Sequence, residues 1–167
     1  MKNMTRILLV LLLLASCVLP VSAASRWIID GAGLLTEDEI TNLDALAANL
    51  VNEYQMDIVI VTVDSLGNKS SEQFADDYFD ENGYGYGENF SGVLLLLSME
   101  YRDWAISTCG DTIYALTDYG IQELFGSIAG YLADDAYYEA FCQFLFNLEP
   151  YLQAHREGAP VDGRPGS

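Results

Sequence analysis

Apolar residues at 40, 43, 46, 47, 50, 51 and 54 recur at helical spacing and define one face of a helix over 37–54. Its start is marked as well. Thr36 stands as the N-cap, Glu39 three residues on completes a capping box, and Leu35 and Ile40 take the staple positions. Glu37, Asp38 and Glu39 suit the positive end of the helix dipole. The period then changes. Ile58 to Val63 is a β-branched run bounded by Asp57 and Asp64, the pattern of a strand buried on both faces of a parallel sheet. Ser70 with Gln73 opens a second helix whose inner face is Phe74, Ala75, Tyr78 and Phe79. The glycines between Asn82 and Asn89 predict a loop.

Val93 to Ser98 reads as a second buried strand, Met99 to Arg102 as a turn, and the alternation from Asp103 to Thr108 as an antiparallel return strand. Thr112 to Leu116 predicts another short strand. Helices follow at about 118–132 and 136–155. The last carries Tyr138, Phe141, Cys142, Leu145 and Leu148 on one face, with Pro150 expected to kink or split it. Ahead of the first helix, Arg26 to Asp30 is a short apolar run closed by the turn Gly31-Ala32-Gly33. The order predicts an α/β fold, a three-layer sandwich with a small mixed β-sheet flanked by helices on both faces. No internal repeat or second domain is visible in the 167 residues.

The N-terminus changes the picture. Lys2 and Arg6 precede an apolar run from Ile7 to Ala15, Pro20 breaks it, and Val21-Ser22-Ala23 supplies small residues for cleavage. The expected organisation is a signal peptide at 1–23, an α/β domain at 24–156, and a disordered Gly/Pro-rich tail at 157–167. Leu14-Ala15-Ser16-Cys17 also has the form of a lipoprotein cleavage box, and an uncleaved anchor is a third reading. The protein is therefore expected outside the cytoplasm, secreted or membrane-tethered. The chain holds 7 basic and 25 acidic residues, net −18. Losing the leader removes Lys2 and Arg6 and no acid, so the remainder is more acidic still. Such a charge excludes unaided binding to nucleic acid or an anionic membrane and suits cations, basic partners or plain solubility. Cys109 and Cys142 remain after cleavage, either as a disulfide or as two free thiols.

The only histidine is His155, close to the tail, which argues against Ser-His-Asp, Cys-His and His-bearing zinc sites. The G-Y-G-Y-G stretch precedes a strand, so it is no dinucleotide fingerprint. Carboxylates remain. Ligands of α/β sheets gather at the carboxyl ends of parallel strands. Asp64 follows the first buried strand, Glu100 and Asp103 lie in the hairpin after the second, and Asp30 ends the opening segment. Carboxylates converging there would repel one another, and a hard divalent cation, calcium or magnesium, would relieve this. Arg102 is placed to neutralise a carboxylate or hold a phosphate. The competing reading is ordinary local chemistry: Asp64 as a turn former, Asp103 as an edge residue, Asp118 as an N-cap. Tyr84, Tyr86 and Phe90 stand in the glycine loop, where exposed rings suit sugar or peptide.

Taken in order, D-G-A-G-L-L-T-E-D-E-I (30–40), I-V-I-V-T-V-D-S-L (58–66), F-A-D-D-Y-F (74–79), G-Y-G-E-N-F-S-G-V-L-L-L-L-S (85–98), R-D-W-A-I-S-T (102–108) and A-L-T-D (115–118) resemble the TPM domain family. The resemblance implies an α/β sandwich with a small mixed sheet in an exported or membrane-tethered protein. Family members are implicated in photosystem repair in plants and in membrane receptor complexes in animals. Acid phosphatase activity and calcium binding have been proposed for the family. Carried over by position, its acidic residues fall on Asp30, Asp64 and Asp103, with Asn89 in the loop beside them. The segment Thr108-Cys109-Gly110-Asp111 departs from the glycine-rich turn usual there.

Three functions follow as expectations. One is a cell-envelope accessory or interaction module that binds a divalent cation through Asp30, Asp64 and Asp103. It is expected to be a monomer, with an envelope or membrane protein as partner. Another is a metal-dependent phosphatase. The third is a structural module packing on a partner through its tyrosines, which an exposed apolar patch would support.

Overall fold

Two strands with apolar residues at almost every position form the centre of the sheet, because both of their faces are covered. β2 (Asp57–Val63) and β3 (Gly92–Ser98) pair in parallel, Ile60 opposite Leu95. β1 (Ile28–Asp30) adds in parallel outside β2, and β4 (Asp103–Cys109) returns antiparallel outside β3. The order is β1-β2-β3-β4, a mixed four-stranded sheet. The computed structural model describes residues 27–159. The expected leader at 1–23 and residues 160–167 of the tail lie outside the described residues.

Cross-strand partners share a face, so the register assigns each side. Gly92, Leu94, Leu96 and Ser98 face the same way as Cys109, Ser107, Ala105 and Asp103. Helix α2 (Ser71–Glu81) covers this side: Ser107 donates to Asp76 at 2.6 Å, and the Phe79 ring lies where a Cβ on Gly92 would sit, 2.7 Å away. Any larger residue at 92 would push Phe79 off the sheet. The other side carries Ile58, Ile60, Val93, Leu95 and Trp104. Trp104 stacks on Phe125 of α4 (Asp118–Ala133), with centroids 3.6 Å apart. Helix α5 (Tyr137–Arg156) packs between α4 and α1 (Glu37–Tyr54), and α1 lies against β1 and β2. Helices therefore cover both faces, the expected three layers.

Local signals match at the helix starts. Thr36 and Ser70 each form full capping boxes, with Glu39 and Gln73. On α1, Leu43, Ala47, Val51 and Tyr54 are buried. Three expectations are corrected. Thr112–Ala115 is a single helical turn, α3, because Gly110 takes a left-handed φ of 62° and reverses the chain. Pro150 does not split α5, which runs unbroken from Tyr137 to Arg156 with the proline on its exposed side. The N-cap of α4 is Thr117, whose side chain accepts from Gly120 N–H, and Asp118 is the first helical residue.

Candidate functional site

The parallel strands point their carboxyl ends to one edge, and there Asp30, Asp64 and Asp103 all lie. Asp30 is opposite Thr62, and Ser98 is opposite both Val63 and Asp103. The edge is as expected, and there the Asp30 side chain serves the fold. Asp30 Oδ1 accepts from Leu34 N–H at 3.1 Å and from the Thr62 hydroxyl, and its Oδ2 accepts from Leu35 N–H at 2.8 Å. Thr62 Oγ1 also accepts from Ala32 N–H at 3.2 Å. Asp30 thus anchors the loop from β1 into α1, holding backbone donors that would otherwise be unpaired.

Asp103 Oδ1 accepts from the Trp104 amide at 2.9 Å, and Asp64 is exposed. Asp103 approaches Glu72 at the start of α2 and repels it. Even so, Glu72 is held below the usual carboxylate range, chiefly by its own backbone amide and by the Ser70 hydroxyl. Glu100 accepts from the Ser65 hydroxyl. The buried hydroxyl of Ser98 has no hydrogen-bond partner among the described residues. Among those residues, no group of three or more Asp, Glu, His or Cys side chains is placed to hold a metal ion. Of the three aspartates, Asp30 is the one whose two carboxylate oxygens are both occupied by hydrogen bonds from the chain.

Arg102 is committed elsewhere. Its backbone is left-handed, φ 52°, and its guanidinium binds Asp135 and the Tyr137 hydroxyl. Tyr137 and Arg102 in turn hold the Asp135 carboxyl below its usual range.

Asn89 lies at the opposite edge, which corrects its expected place beside the aspartates. A loop that precedes β3 must meet the strand's amino end. Asn89 Nδ2 donates to Asp111 there at 3.0 Å. The Asn89 carbonyl stands 2.3 Å from where a Cβ on Gly110 would be, so glycine is required at that crossing. The glycine loop is tied down by Asp57, whose carboxylate accepts from Gly85 N–H at 2.8 Å while the residue is only 2% exposed. Nothing in the sequence beyond a polar residue at a strand start announces that role. Tyr84 packs inward near Phe79 and Tyr78, leaving Phe90 and Tyr86 as the exposed rings of the loop.

Cys109 and Cys142 are free thiols. Cys109 ends β4 at the amino edge, whereas Cys142 lies on the outer helix layer, so the fold separates them. Burial raises the Cys142 thiol above its ordinary range.

The helix layer also carries a concavity. A groove of about 580 Å³ runs along the seam of α1 and α5. Leu46, Leu50, Leu145 and Phe146 line it, with Tyr131 of α4 at one side. Phe146 is 70% exposed and Leu46 44%. Its charged lining residues are Glu53, Glu139 and Glu149. The sequence held part of this signal: the apolar arc of α1 is wider than its buried residues need, and Leu46 and Leu50 occupy one flank of it.

The family model for the TPM domain matches residues 28–149, from β1 well into α5. The chain belongs to the TPM domain family. Solved structures share the fold. The N-terminal domain of a P. gingivalis protein is 18% identical, with a TM-score of 0.69, over 84% of this chain and 89% of that one. An N-terminal domain from Corynebacterium glutamicum is 19% identical, with a TM-score of 0.56, over 91% and 93%. A protein from the psychrophilic bacterium Bizionia argentinensis is 13% identical, with a TM-score of 0.61, over 78% and 91%. No curated protein matches the chain. At these identities the likeness shows the fold of a TPM domain and no more.

Proposed function

We propose that this TPM domain is an exported accessory module of the cell envelope that acts by binding a partner protein through its outer helix layer. The observation that carries this reading is the exposed apolar groove between α1 and α5. Large aliphatic and aromatic side chains left in water together, with a polar rim, are the usual mark of an interaction surface. Phosphate-ester hydrolysis has less support, because Arg102 is engaged by Asp135 and Tyr137. The test is a photo-crosslinking residue in place of Phe146 in cells, with exposed Asp80 on the opposite face as control. A discrete adduct from position 146 alone, identified by mass spectrometry and lost in Leu46→Glu, supports the reading. Equal or absent labelling at the two positions ends it.

A divalent cation at the carboxyl edge is a second reading. What supports it is that Asp30, Asp64 and Asp103 share the carboxyl edge, with the Ser98 hydroxyl, unpartnered among the described residues, opposite Asp103. Binding to the folded state would raise the melting temperature in calcium or magnesium relative to EDTA. A rise lost in Asp64→Asn with Asp103→Asn supports it, and no shift with either ion ends it.

A further inference from the structure

The partner's chemistry can be read from the groove, on the premise that the outer helix layer is the binding surface. Helix α1 presents Leu46, Asn49, Leu50 and Glu53 to it, at spacings of i, i+3, i+4 and i+7. Helix α5 presents Glu139, Cys142, Gln143 and Phe146 at the same spacings, with Glu149 three residues on. Two packed helices that each offer such a stripe form the seat of a third, whose own apolar stripe closes the seam. Among the described residues, every charged side chain that lines the groove is a glutamate, and no lysine or arginine does.

A second copy of this chain is a poor occupant. A two-fold contact would set these glutamates against themselves. The cations among the described residues, Lys69, Arg102 and Arg156, each already pair with a carboxylate. We infer that the groove seats an amphipathic helix of a partner protein, apolar on one side and flanked by lysine or arginine facing Glu139 and Glu149. The apolar stripe supplies burial, and the flanking charges choose the partner and its orientation.

The test uses the full chain and two labelled helical peptides of 18 residues, the length of α1. Both carry one leucine stripe; one is flanked by lysines and the other by glutamates. Fluorescence anisotropy should show the lysine peptide binding about tenfold tighter or more, a preference that shrinks as salt screens it. The same peptide should slow alkylation of Cys142. Phe146→Ser should lose binding, and Glu139→Gln with Glu149→Gln should narrow the preference between peptides. Equal affinity for the two peptides, undiminished binding to Phe146→Ser, or a dimer that shields Cys142 without peptide would each overturn the inference. If position 146 still crosslinks a partner while the peptides are not discriminated, the interaction-module reading stands and the cationic helix falls. If crosslinking also fails, both fall.

Discussion

The carboxyl edge of the sheet and the α1–α5 groove differ in what their side chains have left to offer. At the edge, Asp30 holds two amides and a hydroxyl, Asp103 its neighbour's amide, and Glu100 a serine hydroxyl. Asp30 is thus engaged within the chain, while Asp103 and Glu100 each accept a single bond. Along the groove, Leu46 and Phe146 sit in water, and their burial is still to be gained. A concentration of charge in a sequence is therefore a weaker sign of a binding site than apolar surface the fold has failed to cover. Polar groups can be satisfied by the backbone beside them, but exposed apolar surface can be relieved only by another molecule.

That contrast can be broken most forcefully within α1, where Leu43 is wholly buried and Leu46 is not. Leu43→Ala should cost about 2–5 kcal/mol in urea denaturation, as buried leucines generally do. Next in size is Asp30→Ala, which strands the Leu34 and Leu35 amides and the Thr62 hydroxyl. Charged acceptors of this kind contribute about 1.5–3 kcal/mol. A loss below about 0.5 kcal/mol, within the ordinary scatter of surface changes, would show that the edge aspartate is not structural and would return it to the list of ligand candidates.

Thr36→Ala removes one half of the α1 capping box and should cost about 1 kcal/mol. Its partner supplies a pH test. The Thr36 backbone and side chain hold Glu39 below its ordinary value of 4.5. A lowered carboxyl pKa means stability that is present above the ordinary value and is lost as pH falls through the folded one. The urea midpoints of the wild type and Glu39→Gln should therefore converge on acidification. The smallest effect is expected for Phe146→Ser, within about 0.5 kcal/mol, because the ring is already in water. A larger loss would mean that the groove wall supports the core and is not free to receive a partner.

Much of the fold was legible before any coordinates. The capping pairs Thr36–Glu39 and Ser70–Gln73 and the apolar runs 58–63 and 93–98 are local patterns, and each became the element expected. Where the local pattern was thin, the reading failed. The four residues of α3 follow a reversal at Gly110, and that reversal depends on a crossing with Asn89 that spacing along the chain does not show. The candidate site fared differently. Strand order was enough to bring Asp30, Asp64 and Asp103 to one edge, but hydrogen-bond partners from Thr62, Leu34 and Leu35 decided what Asp30 does there.

The sequence by itself determined the four long helices, the buried strands and the acidity, since these depend on residues within a turn or two and on composition. Tertiary structure alone decided which half of the α1 stripe faces the core, that Cys109 and Cys142 stay apart, and that Phe146 joins Leu46 and Leu50 in one groove. Periodicity fixes the angle between side chains on one helix. Only packing against a second helix fixes which of those angles points to water.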